Sequence, residues 1–392
     1  MRIAIRAERL FDGTRMLADP TLLIDGSRIV GVDYDFPPPP DALLVDLPGT
    51  TLLPGLIDTH VHLAFDASTD PVGALAARDD AAALRAMGDA ARTALRAGIT
   101  TVRDLGDRGY LALRLRGTAG TLPTILASGP PITVPGGHCH FLGGEIGPGG
   151  IRAAVREHAE HGVDIIKIMA SGGTLTPGTR QETAQFDRAE LAGAVDEAHR
   201  HGLPVTVHAH ATQSIVDAVA AGADGLEHVS FWTADGVDVP SSELVRRIAH
   251  RQIAVGATLA IAPVPGANPP PQVRRRMALI IANHHRLVKA GARVAAGTDA
   301  GIGPPKPHDV LTYAPLRLAQ LGLRPAQALR AMTEVAADVC GLGSRKGRLA
   351  PGFDADLLAV DGDPLEDPAA LRRVRAVFTE GVQVAVNVTP PG

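Results

Sequence analysis

The sequence predicts an α/β protein, in which a (β/α)8 TIM barrel carries a small β-sandwich domain built from both ends of the chain. Between Gly55 and about Gly341, short apolar segments alternate with Ala- and Arg-rich segments of helical periodicity. Residues 1–54 and 342–392 instead alternate apolar and polar positions around turn signals, as short antiparallel strands do. We therefore predict a barrel over residues 55–341 and one composite domain from residues 1–54 and 342–392.

Eight apolar segments of the central region are predicted to be strands, and helical patterns separate them. Several of these patterns end in Gly, which is common just after the last residue of a helix. Eight successive strand–helix units indicate a closed barrel. A doubly wound open sheet is the alternative, but it would not bring its first, fourth, fifth, sixth and eighth strands to one point. The predicted strands cover residues 56–62, 100–106, 124–130, 164–170, 204–210, 225–230, 254–260 and 293–299.

Composition and charge narrow the class of protein. A chain of 392 residues with 45% hydrophobic content can form one large core and a small satellite domain. The net charge of −4 gives no reason to expect nucleic acid or an anionic membrane as a partner. Two cysteines, Cys139 and Cys340, argue against a disulfide framework and for a reducing compartment, so we expect a cytoplasmic protein. We see neither a secretory signal nor a membrane-spanning run, and a homo-oligomer is compatible with the sequence.

Metal-binding types of side chain stand near the downstream ends of four predicted strands. His60 and His62 lie two positions apart, so both can point to the same face of their strand. His208, His228 and Asp299 hold corresponding places on three later strands. Imidazole and carboxylate are common zinc ligands, and the carboxyl ends of barrel strands meet at one face. The pattern predicts a single metal pocket at that face.

Lys167 occupies the same kind of position near the end of the fourth predicted strand. A protonated lysine there would repel cations, and a snorkelling or salt-bridged lysine is the ordinary alternative. A neutral amine can instead react with CO2 to form a carbamate, an anion whose two oxygens can bridge two cations. The carbamate interpretation predicts six ligands and two divalent ions, most readily zinc, with manganese or cobalt able to substitute.

Several side chains near this pattern have more than one interpretation. His210 forms a second His-x-His pair with His208, and only one of the two is needed as a ligand. Glu227 precedes His228, so strand alternation predicts that their side chains point to opposite faces. Asp299 could cap a helix, and for Asp104 a cap or a hydrogen bond at the barrel rim is favoured over catalysis.

Taken together, these motifs resemble the amidohydrolase superfamily, and the resemblance covers essentially the whole chain. It includes LLPGLIDTHVH at 52–62, the lysine, the two later histidines, the aspartate, and GRLAPGFDADLLAVDGDPL at 347–365. The segments KIMASGG, GGH, HAHA and EHVSF are more closely similar to one branch of that superfamily. The branch contains imidazolonepropionase-like proteins, Xaa-Pro dipeptidases and other metal-dependent carboxypeptidases, and ochratoxinase-like amidases.

The resemblance implies a role for each residue of the pattern. His60, His62 and Asp299 would hold the more buried metal, His208 and His228 the second, and carbamylated Lys167 would bridge them.

It also implies substrate contacts. His138 or His140, in the loop 131–150, looks like the histidine that relatives use against a substrate carboxylate or the reacting carbonyl. Phe231 stands near a tyrosine that helps some peptidase relatives bind substrate, and it lacks that hydroxyl. Further long loops are predicted at 231–240, 262–272 and 301–309, at the face where barrel active sites form.

The function implied is metal-dependent hydrolysis of an amide- or peptide-type C–N bond in a small molecule. A metal-bridging hydroxide would attack the carbonyl carbon, and Asp299 would carry the proton to the leaving nitrogen. One alternative is a mononuclear deaminase or an imidazolone- or lactam-type ring hydrolase, in which Lys167 is an ordinary lysine. Others are a urea, carbamate or ester hydrolase with the same site, and a non-catalytic binding protein of the same family.

Overall fold

The computed structural model describes residues 1–32, 37–263 and 270–384. Its strands are β1 (Arg2–Phe11), β2 (Met16–Ala18), β3 (Thr21–Asp25), β4 (Arg28–Val32), β5 (Leu43–Pro54), β6 (Leu56–Val61), β7 (Ile99–Asp104), β8 (Thr124–Ala127), β9 (Ile166–Met169), β10 (Val205–Ala211), β11 (Gly225–Trp232), β12 (Ala254–Ala257), β13 (Arg293–Ala296), β14 (Leu357–Asp361), β15 (Val374–Thr379) and β16 (Val382–Val384). Its α-helices are α1 (Pro71–Ala76), α2 (Asp80–Arg96), α3 (Leu111–Arg116), α4 (Ile151–His161), α5 (Arg188–Arg200), α6 (Thr212–Ala221), α7 (Ser242–His250), α8 (Pro271–Lys289), α9 (Ala314–Gln320), α10 (Pro325–Ala331) and α11 (Glu334–Val339). Short 3-10 helices cover His140–Leu142, Val310–Tyr313 and Pro368–Arg372.

The helices begin and end where local sequence signals lie. The side chain of Asp187 accepts a hydrogen bond from the Glu190 backbone, and Glu190 returns one, which forms a capping box at the start of α5. Gly162 and Gly222 adopt left-handed backbone conformations just after α4 and α6. These signals are why the helical patterns of the sequence coincide with helices of the structure.

The central region is a set of parallel strands, and each of the eight predicted segments coincides with one of β6 to β13. One sheet has the order β6-β7-β8, and the other has the order β13-β12-β11-β10-β9. Isolated parallel bridges join the two sheets at both edges, from Val61 to Ala300 and from Ile132 to Ile168. The arrangement is like that of a TIM barrel, and continuous closure of all eight strands remains a prediction.

The two ends of the chain meet in one mixed sheet of order β16-β15-β14-β5-β1-β3-β4, with β2 paired to β1. Strand β5 lies at the junction, since it pairs in parallel with β1 and antiparallel with β14. The two ends of the chain therefore pair as predicted. Their strands form one sheet, however, and the predicted sandwich of two facing sheets is not shown. The proposed domain boundaries stay predictions, and residues 385–388 of the last predicted strand lie outside the described residues.

Loops at the carboxyl ends of the central strands place the polar residues of interest near one another. The predicted loops 131–150, 231–240 and 301–309 lie within the described residues, and 262–272 does so only in part. A further loop over residues 170–187 connects β9 to α5. Within the described ranges, no helix combines the length and the apolar character needed to cross a membrane.

Candidate metal centre

Three predicted ligands from opposite ends of the central region converge on one point. We call His60, His62 and Asp299 the first donor group. Asp299 Oδ1 lies 3.4 Å from His60 Nε2 and 3.2 Å from His62 Nε2. One potential ligand atom of each residue lies within 4.8 Å of the others. The strand register explains this convergence, because the end of β6 is bridged to the segment that follows β13.

A second donor group consists of His208 and His210 from β10 and His228 from β11. The rings of His210 and His228 are stacked, with centroids 4.4 Å apart and planes at 13°. The His208 ring lies 4.6 Å from that of His228. From the sequence, one of His208 and His210 was sufficient as a ligand, whereas the structure brings both into the group.

Lys167, the second residue of β9, lies beside the first donor group. Its side chain is buried, and its Nζ is 3.5 Å from His60 Nε2. Burial lowers the pKa of Lys167 to about 8, so an appreciable fraction of the amine is neutral near neutral pH. Lys167 and both donor groups line one cavity of about 50 Å³. The rest of the lining is His138, Cys139, Met169, Gly173, Thr174, Leu175 and Ile302.

Each histidine of the donor groups has one ring nitrogen occupied by a neighbour, which leaves the other nitrogen for a ligand. This is the usual arrangement of metal-binding imidazoles. The pairs are His60 Nδ1 with Glu227 at 2.9 Å, His62 Nδ1 with the Gly106 carbonyl at 3.1 Å, His208 Nε2 with the Gly172 carbonyl at 3.1 Å, His210 Nδ1 with Ser230 at 2.9 Å and His228 Nδ1 with Thr258 at 2.7 Å. Burial lowers the pKa values of His60 and His210 to about 4 each, so these imidazoles are neutral, as ligation requires.

Glu227 is a candidate functional residue that the sequence pattern did not reveal. Its carboxylate accepts hydrogen bonds from His60 Nδ1 at 2.9 Å, Arg103 at 3.2 Å and Thr206 Oγ1 at 2.7 Å. Burial alone would raise the pKa of Glu227, but His60 and Arg103 lower that pKa to about 2. The glutamate is therefore a fixed anion that orients His60.

The expectation that Glu227 and His228 point to opposite faces is wrong. Both approach His60, since the His228 ring centroid lies 5.2 Å from that of His60 while Glu227 contacts its Nδ1. His228 has a left-handed backbone with φ of 69°, and Val229 follows with φ of 48°. Simple alternation requires extended backbone at each residue, so these positive φ values redirect the His228 side chain.

Replacing Glu227 with glutamine is expected to weaken zinc binding at the first donor group by about 10–100-fold, the range typical of residues that orient a ligand. Glutamine has nearly the same shape, but it loses the charge that holds His60 Nδ1–H. Competition against a chromogenic chelator measures the affinity. Glu197→Gln is a suitable control, because Glu197 is also largely buried but pairs with Arg152 and Arg156 outside the cavity. Unchanged affinity in the Glu227 variant would show that the backbone alone orients His60.

Asp299 has a strained backbone that directs its side chain into the cavity. Its φ is 63°, and no helix of the described residues begins beside it, so it does not act as a helix cap. Burial by itself would raise the pKa of Asp299, but His60 and His62 hold that pKa well below its usual range. The partly buried ammonium of Lys306 also lowers the pKa of Asp299. It donates hydrogen bonds of 2.7 Å to the carbonyls of Thr258 and Thr298, and so ties together the segments after β12 and β13. Asp299 is thus held as a carboxylate.

Asp104 accepts hydrogen bonds from the backbone of Leu63 at 2.8 Å and of Gly106 at 3.0 Å. It therefore makes the hydrogen bonds at the strand ends that its sequence context favoured.

The three predicted substrate residues lie in different surroundings. His138 is buried and lines the cavity, with its ring centroid 4.7 Å from that of His208. His140 lies in a 3-10 turn outside the cavity lining, and its half-exposed side chain is 3.9 Å from Glu145. Phe231 is fully buried in the apolar core and is not part of the cavity lining. Of the three, only His138 has the position that a substrate contact needs.

The parallel-stranded fold and the histidine-rich cavity at the strand ends are those of a hydrolase that acts on carbon–nitrogen bonds, a class that the comparisons with known proteins support. The model of the Amidohydrolase family matches residues 51–384. The match covers most of the chain, so the protein belongs to the amidohydrolase family.

Individual relatives match over most of their length. The chain is 28% identical to an ochratoxinase of Aspergillus niger over 364 residues, which cover 83% of this chain and 73% of the relative. It is 25% identical to an imidazolonepropionase of Paracoccus denitrificans, with 92% and 91% of the two chains covered. The crystal structure of a Xaa-Pro dipeptidase with bound methionine superimposes with a TM-score of 0.83 at 26% identity, covering 98% of this chain and all of the other.

Proposed function

We propose that the protein is a two-metal amidohydrolase that cleaves an amide- or peptide-type bond of a small molecule at the mouth of a (β/α)8 barrel. The observation that carries the proposal is the convergence of two donor groups and a buried lysine on one cavity. Six potential ligands and the lysine exceed what one tetrahedral ion can use. Family membership supports the same conclusion, because amidohydrolases typically use metal ions.

The donor set fits two divalent ions of the zinc type. His60, His62 and Asp299 would hold one ion, and His208 and His228 would hold the other. His210 is a further nitrogen donor on the second side. Neutral imidazoles and a carboxylate suit zinc, and manganese or cobalt could take its place.

Lys167 would complete the centre as a carbamate. The neutral Nζ attacks the carbon of CO2, an N–C bond forms, and one proton leaves to solvent. The product is an anion that can reach both donor groups. Burial supports this step, because it favours the neutral amine and keeps competing water away.

The side chains of the cavity would then divide the work of hydrolysis. Two divalent ions held by the donor groups would activate a water molecule as the nucleophile and polarise the substrate carbonyl. Asp299 takes the proton of the attacking water and passes it to the leaving nitrogen, which is a poor leaving group until it is protonated. His138 contacts the reacting carbonyl or a carboxylate of the substrate. Met169, Leu175 and Ile302 form apolar walls that limit access of bulk water.

The expected substrate is an amide with a carboxylate next to the leaving nitrogen. We expect metal-replete enzyme to hydrolyse N-acyl amino acids or dipeptides faster than neutral lactams and ureas. Parallel assays of these four groups at equal concentration measure the preference, and enzyme stripped with a chelator and then reloaded with zinc is the control. If neutral lactams or ureas outperform every acidic amide, the carboxylate–amide assignment is wrong. A preference for lactams would then favour a ring hydrolase, and a preference for ureas would favour a urea, carbamate or ester hydrolase.

A ring hydrolase or deaminase is the second candidate, favoured by the similarity to an imidazolonepropionase over 92% of the chain. In that case one ion on His60, His62, His208 and Asp299 would be sufficient, and Lys167 would carry no carbamate. Elemental analysis of metal-replete protein separates the two candidates. About two ions per chain support the proposal, and one ion or fewer supports the alternative.

A further inference from the structure

We propose that Thr176 fixes the tautomer of His138, so that the imidazole presents its Nε2–H, and no lone pair, to the cavity. Thr176 would be a positioning residue that acts through His138. The identity of the group that receives this hydrogen bond rests on the proposed function, but the tautomer itself does not.

Thr176 and His138 come from two different loops that meet over the cavity. Thr176 belongs to the loop between β9 and α5, and His138 to the loop after β8. The Thr176 Oγ1 lies 3.1 Å from His138 Nδ1 and accepts the backbone N–H of Cys139 at 2.8 Å. Thr176 and His138 are both buried, so the Thr176 hydroxyl and the Nδ1 that faces it need their hydrogen-bond partners within the protein.

Counting protons at the hydroxyl decides between the two tautomers. A threonine hydroxyl has one hydrogen to donate and two lone pairs that accept. One lone pair receives Cys139 N–H. If His138 Nδ1 also carried a proton, the Thr176 hydrogen would find no acceptor among the described residues. The satisfied arrangement therefore has Thr176 Oγ1–H donating to Nδ1, which leaves the ring proton on Nε2.

Contacts other than the one with Thr176 also fix the position of His138. Its backbone N–H donates to Gln185 Oε1 at 2.7 Å, and Gln185 Nε2 in turn donates to the Met169 carbonyl at 2.6 Å. Gly173 lies over the face of the ring near Nε2 and Cε1, where a Cβ atom would collide with it. Within the described ranges, Nε2 itself has no hydrogen-bond partner, and the ring lines the cavity.

This arrangement makes His138 a hydrogen-bond donor toward the bound molecule. Nε2–H can stabilise an oxygen acceptor, such as the reacting carbonyl or a substrate carboxylate. The other tautomer would offer a lone pair, which repels those oxygens and favours N–H groups. Thr176 would thus help determine which chemical groups the site accepts.

The test measures the tautomer directly. The ring nitrogens of His138 can be identified in 15N NMR spectra of zinc-loaded protein by their absence in His138→Gln. We expect an unprotonated Nδ1 and a protonated Nε2 in the wild type, a mixture of tautomers in Thr176→Val, and the wild-type pattern in Thr176→Ser. Valine should also lower kcat/KM for the best amide substrate by about tenfold, the effect of one hydrogen bond, and serine should restore it.

A matched control lies in the same loop. Thr179 forms hydrogen bonds with the backbone of Gly173 but none with His138, so Thr179→Val loosens the loop and should leave the tautomer unchanged. A protonated Nδ1 in the wild type would overturn the proposal, as would an unchanged tautomer in Thr176→Val or an equal change in Thr179→Val. The spectra need no substrate, so failure of the amide assignment would not be mistaken for failure of this inference.

Discussion

Replacing Asp299 with asparagine is expected to lower kcat by about 10²–10⁴-fold, the range that proton transfer by a positioned side chain typically contributes. The amide of asparagine retains an oxygen that can act as a ligand, but it cannot take up a proton and return it to the leaving nitrogen. In the structure Oδ1 lies nearest His60 and His62, so Oδ2 is the oxygen available for the proton. Steady-state kinetics on the best amide substrate measure the change.

Metal content distinguishes loss of proton transfer from loss of the centre. The Asp299→Asn variant should keep at least one ion, because the five histidines of the donor groups remain. Asp309→Asn provides a control from the loop that follows, since Asp309 lies outside the cavity lining. A loss of less than tenfold in kcat would mean that another residue carries the proton.

The Lys167→Ala variant is expected to lose both activity and bound metal. The proposed carbamate acts only as a bridging anion, so acetate or propionate added together with zinc should restore part of each. The physical reason is that a small carboxylate can occupy the space left by the lysine and offer two oxygens to the two donor groups. Activity and metal content, each measured against carboxylate concentration, test this expectation.

Lys306→Met is the matched control for this rescue. Lys306 is partly buried beside the centre, and desolvation lowers its pKa to about 8, but its ammonium donates to the carbonyls of Thr258 and Thr298. The Lys306→Met variant loses a hydrogen-bond donor and no anion, so added carboxylates should not restore its activity or its metal content. A fully active Lys167→Ala enzyme would show instead that Lys167 has only a structural role.

Much of the candidate site could be predicted from the sequence because it depends on local and periodic features. Spacing by two on a strand put His60 and His62 on one face, and both belong to the first donor group. The order of strands and helices predicted that Lys167, His208 and Asp299 would meet at strand ends, and all three line one cavity. These predictions needed only the direction of each strand and the parallel order of its neighbours.

The remaining features depend on backbone geometry and contacts that no local pattern encodes. Positive φ values at His228 and Asp299 redirect side chains that extended backbone would send elsewhere. The hydrogen bond from His60 to Glu227 joins residues 167 positions apart, so only the folded chain brings them together.

The orientation of the loop histidines also could not be predicted from a local pattern. His138 and His140 are equivalent in sequence, and it is the contacts of His138 with another loop that turn it toward the cavity. The sequence by itself thus determined the α/β class of fold, the positions of the central strands and the chemical types of the candidate ligands. The tertiary structure decided which side chains face the cavity, because that choice is made by long-range hydrogen bonds and left-handed residues and not by periodicity.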